Sequence, residues 1–229
     1  MKEIIKRIPI LGGVAKRIYR WLSARRRNPE PFPGSGAYWE KRYSAGGNSG
    51  VGSYALFAEF KAGVLNEFVA KKNVKNVIDF GCGDGNQLSL AKYPAYLGFD
   101  VSSTAISQCQ ELFKLDTHMS FRLISEYNGE NADLTLSLDV IYHLVEDNVF
   151  EHYIRMLFKA SNRYVIIYAS DTDENRGYEG THVRHRKFTR WIKENLANWN
   201  LVEHLPNRYP YLGDYRKGSF AEFFIYEKA

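Results

Sequence analysis

The run Val77-Ile78-Asp79-Phe80-Gly81-Cys82-Gly83-Asp84-Gly85-Asn86, followed by Gly98-Phe99-Asp100, constrains the fold of this chain more than any other feature. Residues 77–80 read as a buried strand, because apolar β-formers dominate them. Gly81, Gly83 and Gly85 then make a turn without side chains, and 86–91 reads as the start of a helix. A second apolar strand over 96–99 ends in Asp100, 15 residues after Gly85. Strand, glycine turn, helix, strand and acid is the plan of a nucleoside-binding βαβ unit. The glycines let backbone approach a ligand closely, and an acid at the second strand tip can accept both hydroxyls of a ribose.

Asn86 stands where a dinucleotide fingerprint has its third glycine, and acids sit at Asp79 and Asp84. Two carboxylates beside the turn would repel a pyrophosphate resting on it. S-adenosylmethionine carries a sulfonium and an ammonium and no phosphate, so acidic neighbours favour it over NAD. At these residues the chain resembles the class I S-adenosylmethionine-dependent methyltransferases. Residues 77–85 resemble their first motif and 98–100 their second; Ala132-Asp133-Leu134-Thr135-Leu136-Ser137-Leu138-Asp139-Val140-Ile141-Tyr142-His143-Leu144 resembles their fourth strand and the turn after it. The likeness runs from about Tyr38 to the C-terminus. It implies an α/β, Rossmann-like methyltransferase fold with a mostly parallel seven-stranded sheet flanked by helices. It implies S-adenosyl-L-methionine as cofactor and S-adenosyl-L-homocysteine as product, with a phosphate-binding or ligand-free Rossmann-like domain as the alternative.

The resemblance puts Asp79, Gly81, Gly83, Gly85, Asn86, Asp100, Val101 and Asp139 at the cofactor, with Ser125, Glu126 or Tyr127 bordering the adenine. The segment Tyr38-Trp39-Glu40-Lys41-Arg42-Tyr43 resembles the aromatic-basic stretch that covers the cofactor pocket in this class. By that likeness Tyr38, Arg42 and Ser53 contact the methionine carboxylate, and a guanidinium suits a carboxylate by charge and shape. The glycines over 46–52 suggest a lid closing over both substrates; an ordinary loop around a packed Trp39 is the other reading.

The remaining chain alternates helix and strand. Helices are expected over 55–72, 105–113 (capped by Ser102-Ser103-Thr104), 148–160 and 185–196. Strands are expected over 119–125, 134–138, 164–169 and 221–227. Ligands of such sheets bind beyond the carboxyl ends of the strands. His143, four residues after Asp139, is there the first candidate general base for a hydroxyl acceptor, with Asp139 orienting it or touching the cofactor. A helix-capping or buried structural role for His143 is the alternative. The stretch Thr181-His182-Val183-Arg184-His185-Arg186-Lys187 supplies His182 and His185 as further candidate bases, and cations for an anionic or polyhydroxylated acceptor. A solvated basic helix start is its plain reading. No metal-ligand spacing stands out. Tyr209-Pro210-Tyr211-Leu212-Gly213-Asp214-Tyr215 reads as an exposed loop whose rings would stack on a sugar or an aromatic acceptor.

The total charge of +5 divides unevenly. Residues 1–27 hold nine basic residues and one acid, a charge of +8, which leaves the other 202 residues at −3. A mildly acidic main domain counts against a nucleic-acid substrate. Within the arm, Ile4, Ile5, Ile8, Leu11, Val14, Ile18, Trp21 and Leu22 recur at near-helical spacing among the cations, interrupted by Pro9 and Gly12-Gly13. A basic amphipathic arm of this kind reads as a membrane-surface anchor, with a helix packed on the main domain or docked on a partner protein as the alternatives. Residues 28–37, rich in Pro and Gly, read as a linker, and 38–229 as the methyltransferase domain. Two cysteines, Cys82 and Cys109, give no disulfide framework, and a reducing cytoplasmic location follows, with the arm reaching the inner face of the membrane. The expected function is O-methylation of a sugar or glycan at that surface. A soluble small-molecule methyltransferase and a non-catalytic cofactor-binding partner protein are the alternatives.

Overall fold

Continuous apolar runs become the middle of a sheet, because parallel strands are covered on both faces. The computed structural model describes residues 32–178 and 181–229, and a folded unit spans Gly34–Ala229. Its strands are β1 (Val77–Phe80), β2 (Tyr96–Asp100), β3 (Met119–Leu123), β4 (Ala132–Leu138), β5 (Ser161–Ala169), β6 (Trp199–Leu205) and β7 (Glu222–Lys228). They lie in the order β3-β2-β1-β4-β5-β7-β6. β7 runs antiparallel to β5 and β6, and the other pairings are parallel. The mostly parallel seven-stranded sheet expected from the sequence is therefore present. Every residue of β1 is buried, as is nearly all of β4. Edge strand β6 is exposed along most of its length, which is why its polar, half-apolar sequence gives no strand signal.

The helices are α1 (Ser35–Ser44), α2 (Ala55–Lys71), α3 (Ser103–Leu112), α4 (Asp147–Lys159) and α5 (Phe188–Asn195). Helix α1 starts inside the stretch expected to be a linker. Ser102 caps α3, its hydroxyl accepting from the Ala105 amide at 3.1 Å. The basic arm over 1–27 lies outside the described residues. Among the described residues no helix is long and apolar enough to cross a membrane.

Two helix expectations fail for visible reasons. After the glycine turn the chain makes only a 3-10 turn over Leu88–Leu90. Pro94 forbids helical backbone just before β2. Side chains instead fasten the segment to α2 and the chain before it: Asn86 Nδ2 donates to the Ser53 carbonyl at 2.6 Å, Gln87 Nε2 to Ala58 at 3.1 Å, and Asn66 Nδ2 to Leu90 at 2.9 Å. The helix expected from His185 begins only at Phe188. The carboxylates of Asp173 and Asp171 take the amides of Lys187 (2.9 Å) and Thr189 (3.0 Å), so this acidic loop holds the helix entrance. Arg184 and Arg186 both pair with Asp147, and Arg186 also donates to the Leu144 and Val145 carbonyls. Arg184 and Arg186 thus lock two loops together, with Arg184 still 43% exposed.

Candidate active site

The strand order reverses between β1 and β4, and a pocket opens there at their carboxyl ends, the position at which open α/β sheets bind ligands. The turn after β1 forms its floor. Gly81 and Gly83 have φ of +102° and +59°, and a Cβ would collide with the Val140 side chain at the first and the Ser49 hydroxyl at the second. Glycine is required at both for backbone conformation and for space. At the tip of β2, Asp100 accepts the Gly83 amide on one carboxylate oxygen at 3.0 Å and the Ser102 amide on the other at 2.9 Å. Each oxygen keeps a lone pair, so a vicinal diol can still bind.

A cover is built from the chain before α2. Helix α1 is tied at one end by Ser35, whose amide and hydroxyl both donate to the Glu146 carboxylate, at 2.9 and 2.5 Å. Glu40 ties its middle to α3, accepting from the hydroxyls of Ser102 and Thr104 at 2.7 and 2.6 Å. In the glycine-rich loop, Ser49 and Asp84 bond reciprocally: the Ser49 amide donates to the Asp84 carboxylate at 2.8 Å and the Asp84 amide to the Ser49 hydroxyl at 3.1 Å. The loop expected to be a lid is thus fastened to the glycine turn itself.

Lys61 of α2 is the cation of this pocket. It is 0% exposed and donates to Asp139 Oδ2 at 2.5 Å, and Asp139 is itself 11% exposed. Asp139 follows β4 with φ of +61°, a conformation Asp tolerates better than most residues, and accepts the Tyr142 hydroxyl at 2.7 Å. Asp79, Asp84, Asp100 and Asp139 line the pocket against Lys61 alone among Lys and Arg. Asp79 accepts the Tyr96 hydroxyl at 2.9 Å on one oxygen, while the other is buried with no partner among the described residues.

Burial pushes the Asp79 carboxyl up to about 7 and that of Asp100 up to about 6, against amides that favour the charged form of Asp100. A folded carboxyl that titrates above its unfolded value of 3.8 holds a proton that the unfolded chain releases. Its contribution therefore weakens stability as pH rises from about 4 to 7. Asp79→Asn keeps an oxygen for Tyr96 and removes this penalty. We expect it to stabilise the ligand-free protein at pH 8 by about 2–4 kcal/mol, on the order of 5–10 °C in Tm. Thermal unfolding at pH 5 and pH 8 checks this: the variant's gain should be confined to the higher pH.

Of the expected cofactor residues, Ser53, Asp79, Gly81, Gly83, Asp100, Val101 and Asp139 line the pocket. Gly85 and Asn86 sit behind it, supporting the turn against Cys109 and Ser53. Ser125 lies in the 3-10 turn after β3, and its neighbour Ile124 does the lining. Arg42 is turned away: its Nε donates to the Asn48 carbonyl at 2.6 Å and its guanidinium lies over Trp39. Tyr38 stacks on His182, with ring centroids 4.4 Å apart. The pocket also contains Trp39 and Tyr43 of the covering segment, Asp84 of the turn, and Ser49 and Lys61, which the sequence did not single out.

The three histidines separate. His143 lines the pocket, and its Nδ1 lies 3.0 Å from the His182 carbonyl. A carbonyl only accepts, so Nδ1 carries the proton and Nε2 the lone pair. Burial pushes the His143 imidazole down to about 4, which leaves it neutral at pH 7. His182 stacks on His143 at 5.1 Å and acts as its platform. His185 lies beyond the Tyr142 ring, bonded to the Ser170 hydroxyl at 2.6 Å, and belongs to a second pocket.

No protein-family profile matches this sequence, and no curated protein matches it. Solved structures do resemble it. The N-methyltransferase NodS of Bradyrhizobium japonicum WM9, in complex with S-adenosyl-L-homocysteine, superposes with a TM-score of 0.64 at 16% identity, over 85% of this chain and 98% of NodS. The magnesium protoporphyrin IX methyltransferase ChlM of Synechocystis PCC 6803 with the same bound ligand gives 0.56 at 15%, over 75% and 83% of the two chains. The methyltransferase domain of bacterial CtHen1-C gives 0.58 at 18%, over 75% and 98%. The chain has the fold of the class I S-adenosylmethionine-dependent methyltransferases.

Proposed function

We propose that this protein is an S-adenosylmethionine-dependent methyltransferase acting on a small-molecule acceptor. The observation that carries the reading is the pocket itself, where four carboxylates and one lysine surround a glycine turn. That charge balance opposes a pyrophosphate and suits a ligand with a sulfonium and an ammonium. Asp100 would take the ribose hydroxyls, and the unpartnered oxygen of Asp79 the ammonium. Lys61, in place of the expected Arg42, is the cation available to the methionine carboxylate. NodS and ChlM, both solved with S-adenosyl-L-homocysteine, support the same cofactor. Calorimetric titration of S-adenosylmethionine and S-adenosylhomocysteine tests it. Micromolar binding is expected, and a folded protein that binds neither overturns the reading.

Methyl transfer is an in-line displacement at the sulfonium carbon, so the chain's main task is to position the acceptor. A hydroxyl acceptor also loses a proton, which the Nε2 lone pair of His143 would receive. A neutral base beside a mouth of aromatic rings favours O-methylation of a sugar or glycan. His143→Ala should then lower kcat on such an acceptor by about 10²–10⁴-fold with cofactor affinity little changed. Because His143 titrates near 4, wild-type kcat should hold level from pH 8 to pH 6. An unchanged kcat in the variant would remove His143 from proton transfer. Action at a membrane through residues 1–27 is a further part of the proposal. Deletion of that segment should abolish binding to anionic vesicles and leave turnover of a free acceptor intact.

A further inference from the structure

The second pocket lies at the same end of the sheet as the first. Ser170 follows β5, and Glu222 opens β7 directly opposite Ala169. The two pockets are separated by the Tyr142 ring, whose centroid is 4.5 Å from that of His143 on one side and 6.1 Å from that of His185 on the other. His185 is 4% exposed, shares a hydrogen bond with Ser170 through Nδ1, and has no partner for Nε2 among the described residues. This is a neutral polar group, since burial holds its imidazole below the usual range.

The charges around it disfavour an anion, with His204 Nε2 2.7 Å from one oxygen of Glu222 and the other oxygen left to the cavity. Asp171, Glu174 and Glu222 line the cavity, while the lining lysine, Lys187, lies 3.8 Å from Asp171. The apolar part is aromatic. Tyr211 stacks on Tyr215 with centroids 4.5 Å apart, Phe220 packs edge-on against His185, and the loop between the tyrosines raises Leu212 to 90% exposure. Ring faces beside carboxylates and a neutral imidazole offer two things together. The rings cover C–H surface, and the polar groups bind several hydroxyls. A pyranose presents both.

We propose that this second pocket is an acceptor subsite for an uncharged sugar ring, neighbouring the ring that receives the methyl group at the cofactor pocket. The inference rests on the methyltransferase reading for its purpose, and its binding step does not. The acceptor accordingly contains more than one sugar unit, with Tyr142 between the two positions. Saturation-transfer NMR on the full chain without cofactor tests it, using the methyl glycosides of glucose, galactose, mannose and N-acetylglucosamine. At least one should receive saturation with millimolar affinity, and Tyr211→Ala and Glu222→Gln should each weaken it about fivefold. Both variants should titrate S-adenosylmethionine as the wild type does. No transfer to any of the four sugars, or transfer unchanged in both variants, overturns the subsite. Sugar binding by a protein that does not bind S-adenosylmethionine would leave the subsite standing and remove the methyltransferase reading instead.

Discussion

Asp100→Asn is expected to weaken S-adenosylmethionine binding about 100-fold, close to 3 kcal/mol, through charge-assisted hydrogen bonds that the variant cannot make. The wild-type carboxylate already accepts one amide on each oxygen and has lone pairs left for two ribose hydroxyls. An asparagine turns one of those oxygens into a donor, which must then face either the Gly83 or the Ser102 amide. The variant thus loses ligand contacts and gains a donor–donor conflict beneath them. A pH signature accompanies the loss. Burial pushes the folded Asp100 carboxyl up to about 6, and in the proposed reading the ribose hydroxyls pair with its charged form. Wild-type affinity should fall as pH drops through 6, on top of a fall through 7 set by Asp79. Asp100→Asn should keep only the second. Calorimetry from pH 5 to pH 8 on both proteins reads this directly, and a variant within threefold of wild type at pH 8 would remove Asp100 from the ribose.

The glycine turn and Asp100 could be read in the sequence because local geometry fixes them. Gly81 and Gly83 need left-handed backbone and space for close neighbours, and an acid at a strand tip has few other uses. The buried strands were equally legible, since β1, β4 and β5 are enclosed on both faces. What escaped depends on tertiary contact. Helix α1 is fixed by Glu146 and by Ser102 and Thr104, far away in the chain. Arg42 looked like the carboxylate partner by family resemblance and because a guanidinium suits a carboxylate, yet its Nε donates to the Asn48 carbonyl. His182 and His185 are three residues apart and would share a helix face, but the acidic loop over 171–175 delays the helix to Phe188 and sends them to different pockets. Lys61 was recoverable. Its buried neighbours Phe57, Ala58, Ala62, Leu65, Phe68 and Val69 follow helical spacing, and position 61 falls on the same stripe. A lysine on a core stripe signals a buried partner.

That partner makes Lys61→Met the most destabilising single change we expect. Methionine fills similar volume, so packing is roughly kept and the loss is electrostatic. Asp139 would remain nearly buried, with Tyr142 as its side-chain hydrogen-bond donor, and the Nζ contact with the Tyr168 ring would also disappear. Removing one member of a buried ion pair costs about 3–5 kcal/mol, because the other charge stays desolvated. In a domain of this size that lowers Tm on the order of 10 °C. Lys61→Met combined with Asp139→Asn separates charge from shape. Asparagine accepts the left-handed backbone at 139 and still receives the Tyr142 hydroxyl, so the double variant should regain more than half of the loss. Urea denaturation of the wild type, both single variants and the double variant gives the coupling energy. A double variant no more stable than Lys61→Met alone would mean that the stranded Asp139 charge is not the source of the loss, and would leave the Nζ contact with the Tyr168 ring as its cause.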